Sequence, residues 1–235
     1  MEKQKNFELI NMFKGFGIIF LYLIGSALAY DFIGIFGINY NNLNIITKQI
    51  YLISYELLLT LIIVYMYRKD FIPNFKEFIK NIKSFFNKYF KYWFLMLGLM
   101  VISNSVITLF TTTMTPDNQQ TIIDLLGDAP VYTLIVTVLI APILEELVFR
   151  ISFRKMFAHT NFLFILFSGL FFGGMHVLGT LENLIDLLFI IPYSIPGFIF
   201  AYVYTKSKNI FIPISLHFIH NGIMMSLQIL LLILT

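Results

Sequence analysis

Cysteine is absent from all 235 residues. No disulfide framework, thiolate metal site or cysteine nucleophile is therefore open to this chain. Charge is scarce as well: Asp, Glu, Lys and Arg together make up 12% of the sequence, where a soluble domain carries about 25%. Their near balance, a formal +3, also removes the high net charge that accompanies disorder. What fills the sequence instead is apolar. Hydrophobic residues reach 58% and Phe alone occurs 27 times, more than a water-soluble fold of this length can hide. The class that remains is a polytopic membrane protein. Its apolar runs are about 20 residues long rather than alternating ten-residue strands, which makes it an all-α transmembrane helical bundle.

Seven apolar spans are read, at 15–36, 45–67, 92–110, 131–151, 161–178, 184–204 and from 210 to the C-terminus. Each can cross about 30 Å of hydrocarbon at 1.5 Å per residue. The basic residues sort these spans. Lys3, Lys5 and Lys14 precede the first, and Arg68, Lys69, Lys76, Lys80, Lys83, Lys88 and Lys91 lie between the second and third. Arg150, Arg154 and Lys155 stand at the end of the fourth and in the link after it, and Lys206 and Lys208 follow the sixth. Only Lys48 breaks the alternation, while Asp117, Asp124, Asp128, Glu182 and Asp186 fall in the opposite links. The positive-inside rule then puts the N-terminus in the cytoplasm and the C-terminus outside. Tyr65, Tyr67, Tyr92, Trp93, Tyr202 and Tyr204 stand where span ends meet the headgroups.

Residues 68–91 form a separate feature. Phe71, Phe75, Phe78, Ile79, Ile82, Phe85, Phe86 and Tyr89 recur at helical spacing, and Lys76, Lys80, Lys83, Asn87 and Lys91 fill the other face. This is the pattern of a basic amphipathic helix on the cytoplasmic leaflet, preferred to a docking surface for a soluble partner. At the N-terminus, Ala27-Leu28-Ala29 resembles a signal-peptidase site, but the apolar run continues to Phe36 and favours an uncleaved span. No repeat or second domain is visible, so residues 1–235 read as one membrane domain. The Lys- and Phe-rich, Ala-poor composition suits a bacterial plasma membrane protein.

An ionisable group inside a span is expensive and marks a functional-site hypothesis. Five such groups stand out: Glu145, Glu146, Arg150, His176 and His217. Glu146 and Arg150 are i and i+4 with the acid on the N-terminal side, the better orientation for an ion pair. Glu145 is left free to face something else, as a general acid or base, unless both acids merely brace Arg150. Phe172 and His176 share a face, and Gly169 and Gly173 form a small-xxx-small pattern that lets a neighbouring helix approach. His217 and Asn221 also share a face, able to donate hydrogen bonds jointly or to hold a metal. His220, at i+3 from His217, is read as a satisfied packing residue rather than a second ligand. Counted from the inner span ends, Glu145 lies roughly 15 Å deep, His176 about 22 Å, His217 about 10 Å and Asn221 about 16 Å. Three helices thus bring a carboxylate, two imidazoles and an amide to similar depth. Asp31 and Glu56 are also in or near spans but isolated in sequence.

Glu145-Glu146-x-x-x-Arg150, then Phe172-x-x-x-His176, then His217-x-x-x-Asn221 resemble the three motifs of the CAAX-protease and bacteriocin-processing family, known as CPBP or Abi. The resemblance covers residues 131–235, which it marks as a catalytic core; the first 130 residues match only as generic membrane helices. It implies peptide-bond hydrolysis inside the membrane. Glu145 would be the base that activates water with His176 as partner, His217 and Asn221 would stabilise the oxyanion, and Glu146, Arg150 and Phe172 would support them. Family members acting on prenylated substrates often have eight spans, against seven here.

The family that is resembled has been read both with and without a metal, and the metal-free glutamate mechanism, which needs no cofactor, is preferred here, with zinc as the alternative. Were a metal present, Glu145, His176 and His217 would be its ligands and zinc the natural choice, although His-Glu-x-x-His is missing. No Gly-x-Ser-x-Gly context and no mid-span pair of aspartates offers another protease class. The expected partners are a membrane-embedded peptide or lipid-anchored substrate and the bilayer itself, with no nucleic acid. The competing class is a non-proteolytic scaffold or bacteriocin self-immunity protein, and a transporter is weaker, since Asp31 and Glu56 are thin support for a polar pathway.

Overall fold

The protein is described by a computed structural model over residues 2–111, 117–179, 181 and 183–234, with backbone only at 2–5 and 7. Glu182 and the side chains of Lys3 and Lys5 therefore lie outside the described residues. Among the described residues the regular structure is entirely helical. Six helices among the described residues are long and apolar enough to cross a membrane, and a polytopic helical bundle is what the composition demanded.

Helix α1, Glu2–Ala27, stops nine residues short of the expected end at Phe36. The apolar run beyond it folds instead into a short 3₁₀ turn, Phe32–Phe36, closed by Gly37 at φ 73°, a left-handed conformation that favours glycine. The last carbonyls of a helix need donors. Here the Tyr55 hydroxyl donates to Gly25 O and the Tyr51 hydroxyl to Ala29 O, both at 2.7 Å. Both tyrosines come from α2, Ile45–Met66, which starts at Asn44, whose side chain accepts from the Thr47 amide. Hydropathy sees only that Phe32–Phe36 is greasy; the helix end is set by these phenols.

Helix α3, Arg68–Tyr89, is the expected amphipathic helix, with Lys76, Lys80, Lys83 and Lys88 exposed. Phe71, Phe75 and Phe78 pack on Phe211, with ring centroids 4.7, 5.2 and 5.9 Å away. α4, Lys91–Thr108, follows. A link helix, α5, Asp117–Asp128, is not among the expected spans, although Ile122, Leu125 and Leu126 give it an apolar side.

The fourth expected span is a composite helix, α6, over 130–156, longer than the 131–151 read from sequence. It alternates α-helical segments, Pro130–Leu134, Ala141–Glu146 and Phe153–Met156, with wider π-helical ones, Ile135–Ile140 and Leu147–Ser152. Pro142 is one local cause: it lacks the amide that would close on Val138, and its ring would strike that carbonyl in a regular α-helix. π-Turns leave carbonyls free for other donors and recur at functional sites. α7, Asn161–Leu178, and α8, Leu184–Ser207, then pack face to face. A Cβ at Gly169 would strike the Phe198 ring, and one at Gly173 would strike the Ser194 hydroxyl. The small-xxx-small pair thus brings two helices together where lipid would otherwise compete.

α9, Phe211–Leu234, completes the bundle. The turn before it is tied down. Fully buried Asn209 donates through Nδ2 to Asn74 O at 2.8 Å and Glu77 Oε2 at 3.0 Å, and the Ile210 amide donates to Asn74 Oδ1 at 2.7 Å. The amphipathic helix is therefore fastened to the start of the helix that carries His217 and Asn221.

Candidate active site

Arg150 and Glu146 are both fully buried inside the bundle. Arg150 holds the carboxylate with two bonds, Nε to Oε2 at 2.7 Å and Nη2 to Oε1 at 3.1 Å. Its remaining amine, Nη1, donates to the Ser168 hydroxyl at 2.6 Å, which in turn donates to Phe149 O, a carbonyl in the second π-segment. The guanidinium face lies 5.1 Å from the Phe172 ring centre and 5.8 Å from that of Phe200. A buried ion pair is tolerated only when its remaining donors and acceptors are met, and this one is met from α6 and α7 and stacked from α7 and α8.

That arrangement fixes His217. Its Nδ1 lies 3.1 Å from Glu146 Oε1. A carboxylate already engaged by arginine only accepts, so Nδ1 carries a proton and donates. Nε2 is left facing Glu145 Oε2 at 4.0 Å. His176 is fixed in the same manner. Its Nδ1 donates to Phe172 O at 2.8 Å, because a carbonyl can only accept, and its Nε2 faces Glu145 Oε2, again at 4.0 Å. Phe172 packs between the two imidazoles, 4.6 Å from His176 and 5.7 Å from His217. Tyr193 stacks on the outer face of His176 at 5.5 Å and 15°, and Phe200 stacks on His217 at 5.2 Å.

Glu145 is the group left over. Its Oε2 is buried with no hydrogen-bond partner. Distances of 4.0 Å to two imidazole nitrogens are too long for direct hydrogen bonds and short enough for one shared water. The site opens into a cavity of about 450 Å³ whose lining includes Glu145, His176, His217 and Asn221. Asn221 Nδ2 donates to Thr137 O at 2.9 Å, a carbonyl in the first π-segment. Each π-segment thus offers a backbone acceptor to a polar side chain of another helix, one beside the ion pair and one beside the amide.

The structure brings together Glu145, Glu146, Arg150, Phe172, His176, His217 and Asn221 from α6, α7 and α9. Asp31 and Glu56 do not line the cavity. One expectation is corrected: His220 is no satisfied packing residue, for it lines the cavity and its Nδ1 is buried without a partner. Sequence reasoning missed Ser168, Thr137, Tyr193 and Phe200, which carry no local signal, since a serine or an aromatic in an apolar span is ordinary. Among the described residues no group of three or more His, Asp or Glu is gathered in a way that could hold a metal ion.

Residues 127–223 match the family described as type II CAAX prenyl endopeptidase Rce1-like. That segment holds every motif residue named above. A protein of Bacillus subtilis (strain 168) called "Putative membrane peptidase YdiL" is 35% identical over 115 residues, covering 48% of this chain and 43% of that protein. The alignment therefore spans less than half the length of that relative. No solved structure matches the chain.

Proposed function

From the match of residues 127–223 to the Rce1-like family and the likeness to a membrane peptidase, we propose that this chain is an intramembrane endopeptidase whose base is Glu145. The observation that carries the reading is the unpartnered Glu145 oxygen, 4.0 Å from Nε2 of both His176 and His217 in the lining of the cavity.

The roles follow from which atoms have protons. A neutral His176 that donates through Nδ1 has a lone pair on Nε2. It and Glu145 are then two acceptors facing each other, and a water donates one hydrogen to each. The water's own lone pair is left free to attack a peptide carbonyl. Glu145 takes a proton as the C–O bond forms. The resulting oxyanion lies toward α9, where Nε2–H of His217 as an imidazolium and the second Nδ2 hydrogen of Asn221 donate to it. With Glu145 and Glu146 ionised, Arg150 and an imidazolium bring the cluster to zero net charge, which suits a dry site. Donors aimed at developing charge away from water contribute a few kcal/mol each. Glu145 then passes its proton to the leaving nitrogen, the C–N bond breaks, and a carboxylic acid and an amine depart.

The reaction runs without a metal in this account, so chelation followed by zinc readdition leaves the rate unchanged. The alternative, zinc on Glu145, His176 and His217, requires loss on chelation and recovery with zinc. The substrate is a membrane-embedded peptide or lipid-anchored tail, and the distribution of basic residues supports a cytoplasmic N-terminus and an external C-terminus. The test is a mass-spectrometric comparison of membrane peptides from cells making the wild type or Glu145→Gln at equal abundance. Peptides produced only by the wild type support proteolysis. Identical peptides together with an unchanged cellular phenotype would return the chain to the scaffold class.

A further inference from the structure

α9 turns one stripe of side chains toward the cavity: His217, His220, Asn221, Met224 and Met225. Their three- and four-residue spacing puts them on a single face. His217 and Asn221 have partners across the site. His220 is 8% exposed, and its Nδ1 is buried with no partner. An unmet ring nitrogen inside an apolar bundle is costly, and a leucine or phenylalanine would fill the space without that cost. Such a group calls for a ligand that meets it.

The cavity states what kind of ligand that is. Apart from Glu145 and the histidines, its described lining has no ionisable side chain other than the phenol of Tyr193. α4 contributes Leu97, Met100, Val101 and Asn104 at helical spacing, a wall suited to apolar groups with one carboxamide. α4 packs on α8, and α9 packs on α3, α6 and α8; the α4 stripe and the α9 stripe both line the cavity. A neutral chain with apolar side chains and a polar backbone fits both walls. His220 lies three residues beyond His217, about 4.5 Å along the helix axis, and one residue of extended peptide advances about 3.4 Å. A peptide whose reacting carbonyl sits at His217 and Asn221 therefore lays its adjoining peptide group beside His220.

We infer that His220 is a substrate-binding residue whose Nδ1 hydrogen-bonds the peptide backbone next to the scissile bond. This rests on the peptidase reading for which bond is cut, but peptide binding can be measured without cleavage. The full chain carrying Glu145→Gln, in detergent micelles, is titrated into a fluorescein-labelled, C-amidated decapeptide of Ala, Leu and Phe, read by anisotropy. His220→Phe and His220→Leu raise Kd about tenfold, the loss of one net hydrogen bond. His220→Gln, which keeps a donor and an acceptor, stays within about threefold. The thermal midpoint of His220→Phe does not fall, because an unmet polar group has been removed. A packing role gives the opposite pattern, a lower midpoint with unchanged Kd, and would overturn the inference, as would a parent protein that binds no peptide. With Glu145 restored, His220→Phe raises KM and leaves kcat within a few-fold. If the wild type cleaves nothing while the Kd difference persists, the peptidase reading fails and the binding residue stands. If the wild type cleaves and His220→Phe leaves KM and Kd unchanged, the peptidase reading stands and the binding residue fails.

Discussion

Helices α1, α2 and α4 are as plainly transmembrane as α7 and α8, yet the two sets use their surfaces differently. In the apolar windows of the first set, 17–22% of residues are buried inside the protein, against 39% for α7 and 44% for α8, while α9, which carries His217 and Asn221, stands with the first set at 22%. Ahead of residue 130, Thr60 is the one buried polar residue among those described, phenols and the Trp93 indole aside; beyond it come Glu146, Arg150, Ser152, Ser168, Ser194 and His217. Glycine divides less sharply, since a Cβ at Gly15 of α1 would lie 2.7 Å from Ser152 O and one at Gly174 or Gly222 would make only ordinary contact. A Cβ at Gly17 or Gly98 would meet nothing within 4 Å, whereas Gly169, Gly173 and Gly197 have no room for one. The lesson is that apolarity decides residence in the membrane but not association within it. Lipid is as apolar as leucine, so helices associate where backbones can approach and polar groups can pair. In this chain those places coincide with the site.

The largest expected effect is on chemistry. Glu145→Gln lowers the cleavage rate at least about 10³-fold while the circular dichroism spectrum keeps its helical form; a residual rate within tenfold of wild type would remove Glu145 from the role of base. Next comes the ion pair. Arg150→Leu leaves Glu146 buried without its partner and costs about 3–5 kcal/mol, measured by thermal unfolding in detergent. The double variant Glu146→Leu/Arg150→Leu recovers much of that loss. Glycine supplies the most direct contrast between the halves. Gly173→Ala forces its Cβ against the Ser194 hydroxyl and amide nitrogen and Ile190 O, costing about 1–3 kcal/mol, whereas Gly98→Ala stays within about 0.5 kcal/mol. Equal effects at the two glycines would dissolve the distinction. Asn209→Ala costs about 1 kcal/mol, less than Gly173→Ala at its upper end, and is seen as faster amide exchange over Arg68–Tyr89 because the bonds to Asn74 O and Glu77 are lost.

The helical membrane class, the amphipathic helix and the meeting of three motifs are all legible in the sequence. The reason in each case is that the signal is periodic or local: apolar runs, a basic face, and polar residues four apart in otherwise apolar helices. What stays hidden depends on partners distant in sequence. The end of α1 is set by Tyr51 and Tyr55 of another helix, and the π-segments of α6 show locally only through Pro142. Ser168 gains meaning from Arg150, and Tyr193 from His176. His220 defeats a sequence reading because burial and hydrogen bonding are separate properties: the residue is buried, as a packing role requires, but its Nδ1 is not met.

The proposed reaction is the addition of water to a peptide bond through Glu145. It is tested most directly by running the purified protein with a peptide first found among the wild-type products, in water enriched in oxygen-18. The wild type releases a fragment with one heavy oxygen in its new C-terminal carboxylate, and Glu145→Gln releases essentially none. Fragments free of the label, or labelled fragments made equally fast by Glu145→Gln, would contradict it.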